Sequence, residues 1–164
     1  MIEKTYPITE QLILNALQQA QQLHLELTQE AEALKQTSQA ELLNTIAANK
    51  KQLVAQLEQF NSQLTQVLAT EKLSNNQESI TEYFKRAELA GLLPAASISN
   101  WAQLMLVCAE CKKLNEQNGA TIDLLSRHTK RSLDILKGKP ESVNTYGSDG
   151  SAQSDRYSHN LISV

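Results

Sequence analysis

The sequence predicts an all-α fold: an elongated antiparallel helical bundle with coiled-coil-like seams, followed by a disordered C-terminal tail. Apolar residues recur in steps of three and four along most of the chain, which places them on helical faces. Aromatic residues make up only 4% of the 164 positions, so buried area has to come from repeated Leu, Ile, Val and Ala contacts, as it does along helix seams. From Asn144 the text changes to NTYGSDGSAQSDRYSHNLISV, which has no periodic apolar face. A chain of this length is expected to form one domain: a helical bundle over residues 1–138 and a flexible tail over residues 139–164.

The first helix is expected from about residue 9 to residue 34, where Ile13, Leu17, Ala20, Leu23, Leu27, Ala31 and Leu34 share a face. Ser38 and Glu41 have the spacing of a capping box, in which each side chain satisfies a backbone donor at a helix start. A second helix over about residues 39–72 carries the cleanest period: Leu43, Ile46, Leu53, Leu57, Phe60, Leu64 and Val67. A helix of that length spans roughly 50 Å, and a sustained 3.5 repeat over it implies a coiled-coil seam. Lys50 breaks the apolar series. Either its stem lies along the seam with its ammonium in water, or it is a register-setting or contact residue.

Ser79 and Glu82 have the spacing of another capping box, and a short connector helix is expected over about residues 80–90, with Gly91 past its end and Pro94 soon after. The last helix, about residues 100–137, carries Trp101, Leu104, Cys108, Cys111, Asn115, Asn118, Ile122, Leu125 and Thr129 on one stripe, and continues through Leu133 and Leu136. Its seam is polar in the middle, and Gly119 costs about 1 kcal/mol relative to alanine. Gly119 is either a kink or cap, or a weak point that lets the helix admit another helix.

Little in the sequence points to catalysis. The pair Cys108-x-x-Cys111 falls inside the helical period, with no strand before it and no second ligand pair, so it reads as two reduced core cysteines, not a zinc or thioredoxin site. None of His24, His128 or His159 follows a glutamate by three residues, as a di-iron bundle would require. No phosphate-binding glycine loop, activated nucleophile or paired acids occur, so no enzymatic activity, cofactor or metal is expected. The net charge of −3 is mild. Residues 112–139 carry seven bases against three acids, but Arg127, Lys130, Arg131, Lys137 and Lys139 fit the C-terminal end of a helix and lack interleaved aromatics, so nucleic-acid binding is not expected. Without a signal-peptide pattern or an apolar run long enough to span a bilayer, the protein is expected to be cytoplasmic, with no direct membrane insertion.

The run Trp101, then Leu114-Asn115-Glu116-Gln117-Asn118-Gly119, then Leu133-Asp134-Ile135-Leu136, and finally Thr145-Tyr146-Gly147-Ser148-Asp149-Gly150 resembles the FlgN family of flagellar type III export chaperones. Glu30, Leu34 and Lys50-Lys51-x-Leu53 are similar in a less specific way. The resemblance covers nearly the whole chain, and its specific part is the ordered pair L-N-x-x-N-G and T-Y-G-x-D-G. It implies a bodyguard for the hook-filament junction proteins FlgK and FlgL, whose terminal segments form amphipathic helices only on assembly. Recognition would be helix-in-groove. Asn115, Asn118, Ile122, Leu125, Leu133 and Leu136 are then the candidates for binding the C-terminal segments of those clients, although the same residues also suit an internal core.

The resemblance further implies that Tyr146, with Gly147, Asp149 and Gly150, docks the chaperone onto the cytoplasmic domain of the export-gate protein FlhA. The plain alternative for Tyr146 is a frayed terminus. At most weak self-association is expected before client is added. The competing reading is a structural coiled-coil homo-oligomer or scaffold with no escorted client.

Overall fold

A computed structural model describes residues 1–138, and its order is α1 (Ile2–Ala33), α2 (Ala40–Thr70), α3 (Gln77–Leu89) and α4 (Ala95–Leu136). No strand occurs among the described residues. The expected all-α bundle is therefore what forms. The chain divides into two units, Met1–Asn118 and Gly119–Val164, and α4 runs unbroken from Ala95 to Leu136. Gly119 is thus neither a cap nor an end.

Within Met1–Asn118, α2 returns antiparallel to α1, with Glu71 near Thr5 and Lys50 near Glu30. The short α3 then resets the chain direction, so that α4 runs parallel to α1: Ser97 meets Tyr6, Cys111 meets Ala20 and Asn118 meets Leu27. Two apolar clusters fill the interior. One gathers Tyr6, Ile13, Leu64, Leu68, Ile80, Tyr83, Phe84 and Ala87 around α3. The other gathers Ala16, Leu17, Ala20, Leu23, Leu27, Leu57, Leu104 and Cys111. Phe60 and Trp101 pack against both, and the Trp101 indole N–H is buried without a hydrogen-bond partner.

The helix starts differ from the sequence expectation, each for a local reason. α1 begins at Ile2 rather than near Thr9, with Pro7 inside it. A proline there removes one helical hydrogen bond, but Thr5, Tyr6 and Thr9 are all buried by the elements around them. Tertiary packing holds the turn that local propensity would break.

Ser38 does not cap α2. It adopts φ 84, in the left-handed region, and α2 starts at Ala40 after Gln39, which makes no side-chain cap bond. α3 is capped three positions earlier than the Ser79–Glu82 reading: Asn76 Oδ1 accepts the Ser79 backbone N–H at 2.8 Å. Asn76 thereby satisfies a donor that the helix leaves open. Glu82 instead accepts from Arg86 at 2.9 Å one turn on.

Gly91 terminates α3 as expected, at φ 80, with the Leu92 N–H reaching back to the Ala87 carbonyl at 3.0 Å. This is the closing bond of a Schellman motif. α4 then begins at Ala95, earlier than Ser99 or Asn100, because the Pro94 carbonyl accepts the Ile98 N–H at 2.8 Å and opens the helix.

Candidate functional site

The predicted client-binding residues fall into two groups. Asn118 is buried, at 4% exposure. Its Nδ2 donates to the Leu27 carbonyl and to Glu30 Oε2, each at 2.9 Å. Its amide is therefore engaged inside the bundle. Asn115 is exposed, and its Oδ1 accepts a long bond of 3.4 Å from Lys50 Nζ.

Lys50 corrects the reading in which its ammonium reaches water. Its Nζ donates to both carboxylate oxygens of Glu30, at 2.9 and 2.8 Å. The Glu30 side chain keeps only 4% of its exposure and that of Lys50 20%. A carboxylate that deep needs a cation and donors to offset its lost hydration, and Lys50 and Asn118 supply them. Periodicity alone marks Lys50 as an interruption. The signal that would have found its partner is Glu30, a charged residue at the seam spacing of α1.

The other four candidates, Ile122, Leu125, Leu133 and Leu136, lie on the part of α4 beyond Gly119, and each is exposed, Leu136 most of all at 83%. Their successive spacings of three, eight and three residues keep them on one face. Leu124 and Ile135 are exposed on the opposite side of the same segment, although the sequence reading did not single them out. Apolar residues at helical spacing, open to solvent, form a surface that a second amphipathic helix fits. Tyr146, Gly147, Asp149 and Gly150 lie outside the described residues.

Among the described residues no group of His, Cys, Asp and Glu side chains is placed to hold a metal ion. Burial pushes the Cys111 thiol up to about 12 and also raises Cys108, so neither is an activated nucleophile. Cys111 Sγ instead donates a weak bond to the Ala20 carbonyl at 3.6 Å. Both cysteines are free. A surface groove of about 430 Å³ where α1 meets α2 is lined mainly by Thr28, Gln29, Glu32, Ala33, Gln36 and Leu42, which offer no acid–base pair. No helix among the described residues is long and apolar enough to cross a membrane.

The fold is thus a helical bundle whose last helix carries exposed apolar residues, with no metal-holding cluster among the described residues. A family model described as FlgN protein matches residues 8–154, which is most of the chain. The chain belongs to the FlgN family, a family of flagellar export chaperones. No curated protein and no solved structure gave a match.

Proposed function

We propose that this protein escorts the C-terminal amphipathic segments of the hook-filament junction proteins FlgK and FlgL in the cytoplasm and delivers them to the flagellar export gate. The observation that carries the reading is the exposed stripe of Ile122, Leu125, Leu133 and Leu136 in a chain of this family. A client helix laid along that stripe would cover apolar surface that water otherwise wets, and burial of that kind drives association. Asn115, which is exposed, would add a polar contact to the client, whereas the Asn118 amide is already engaged by Leu27 and Glu30. Division of labour follows: residues 1–138 hold the client, and residues 139–164 carry Tyr146, Gly147, Asp149 and Gly150 for docking to the cytoplasmic domain of FlhA.

Calorimetric titration of the full chain with the C-terminal segment of its cognate FlgK tests this. The intact chain and Tyr146→Ala should bind alike, and Leu125→Ala/Leu133→Ala should bind at least about tenfold more weakly, since two truncated anchors each forfeit around a kcal/mol or more. Tyr146→Ala should in turn lose binding to the FlhA cytoplasmic domain. No binding by the intact chain, or a stable oligomer by light scattering that client does not dissociate, would replace the escort with a self-assembling coiled coil.

A further inference from the structure

Three contacts between α1 and α4 share one spacing. Tyr6 with Ser97, Ala20 with Cys111 and Leu27 with Asn118 are each separated by 91 residues, a whole number of heptads. The residues of α4 that become buried are Ser97, Leu104, Cys111 and Asn118, one per heptad. The two inner layers are apolar and the two outer ones polar. At one end Ser97 Oγ lies 2.9 Å from the Tyr6 hydroxyl and 3.4 Å from Glu10 Oε1. At the other, Asn118 donates to the Leu27 carbonyl and Glu30, whose carboxylate is also held by Lys50.

A heptad repeat is by nature tolerant of seven-residue shifts, because each shift returns an equivalent seam, and buried polar residues are the usual means of excluding the alternatives. From this arrangement we infer that the Tyr6–Ser97 and Glu30–Lys50–Asn118 contacts form a two-ended register lock, which fixes the position of α4 along α1. A shift of α4 in one direction brings Leu104 to the Tyr6 hydroxyl and removes the amide from Glu30. A shift in the other direction brings Cys111 to Glu30, carries the Asn118 amide past it and places Ser97 in the apolar layer of Leu104. Either shift strands buried polar groups without partners, a cost that the apolar layers do not repay.

Leu104 and Cys111 supply burial that any register provides. The polar ends supply the choice. The inference concerns the bundle itself and stands whether or not the escort reading holds.

Distance measurement between two spin labels tests it. The labels go at the exposed positions Lys4→Cys and Lys113→Cys in a full chain carrying Cys108→Ala and Cys111→Ala. At 1.5 Å of rise per residue the labels lie about 27 Å apart along the axis, and a one-heptad shift changes this by about 10 Å. With the lock intact a single distance is expected. Replacing both ends, Ser97→Ala with Glu30→Met, Lys50→Met and Asn118→Leu, should retain helicity and add a second population displaced by about 10 Å.

A single unshifted distance in that helical variant would overturn the lock and assign the register to the shapes of the apolar layers. If the four-site variant loses its helicity, Ser97→Ala alone and the three-site variant alone are measured with the same labels. A shifted population in either upholds the lock, and a single distance in both overturns it.

Discussion

The end of the bundle built around α3 and the part of α4 beyond Gly119 use similar residues to opposite effect. Around α3, Tyr83 is fully buried, its hydroxyl donates to Thr5 Oγ1 at 3.2 Å and lies 2.9 Å from Thr9 Oγ1, and Thr5 in turn donates to Glu71 at 2.8 Å. Apolar contact and polar satisfaction coincide there. Beyond Gly119, Ile122, Leu125, Leu133 and Leu136 carry as good a helical period but are exposed. Periodicity reports a face. What covers that face is decided by the elements around it.

The sharpest way to break the comparison is to truncate one residue from each region. Tyr83→Ala should lower unfolding free energy by about 3–5 kcal/mol, through a large cavity and stranded hydroxyl partners. Leu133→Ala should change it by no more than about 0.5 kcal/mol, as exposed substitutions do. Urea denaturation followed by circular dichroism reads both. Comparable losses would mean that the distal stripe belongs to a packed core in solution.

Next in size is the buried ion pair. Lys50→Ala leaves Glu30 nearly buried without its cation, and removing one member of such a pair costs several kcal/mol when both are fully buried. Because Lys50 keeps 20% of its side-chain exposure, a smaller loss of about 2–3 kcal/mol is expected from the same denaturation. The double variant Glu30→Met/Lys50→Met should recover much of it, since no unpaired charge then remains. A Lys50→Ala variant as stable as the parent would show that water already serves Glu30.

Much of this was legible in the sequence, and the parts that were not share a cause. The apolar period of α2 correctly marks Ile46, Leu57 and Leu64, which are buried. The ends of helices were harder, because Pro7 and Ser38 carry local preferences that tertiary contacts or turn geometry override, and because α3 is capped by Asn76 rather than by the Ser79–Glu82 box that the spacing suggested. The Glu30–Lys50–Asn118 contacts join residues from three helices. No spacing within one helix encodes them. The stripe beyond Gly119 was readable as a stripe, but whether it faced core or solvent was not.

Alkaline pH should weaken the bundle by a smaller amount per unit. Burial, with lesser contributions from Cys108 and Glu110, raises the Cys111 thiol from 9.0 to about 12. Burial likewise raises Cys108 and, against its hydrogen bonds to Thr5 and Thr9, Tyr83. The unfolded chain releases the Cys111 proton above about pH 9 while the folded chain keeps it, so stability is fully present below that pH and falls by about 1.4 kcal/mol per unit toward about pH 12. Denaturation midpoints from pH 8 to 11, compared with those of Cys111→Ala, isolate the contribution. A parent and variant with the same slope above pH 9 would remove Cys111 as its source.

The smallest effect is the most local. An added Cβ at Gly119 would meet nothing within 4 Å, and the residue is helical, so neither sterics nor φ requires glycine there. Alanine should therefore favour the helix by about 0.5–1 kcal/mol. Where that gain appears distinguishes the two regions. If residues 119–136 open independently of the bundle, Gly119→Ala slows hydrogen exchange of their amides severalfold and leaves the urea midpoint of the whole chain in place, because local opening draws on local free energy. If the midpoint rises by the full amount while exchange across α1 and α2 slows in parallel, the helix beyond Gly119 unfolds with the bundle, and its apolar stripe is held ready by the same cooperative structure that buries Tyr83.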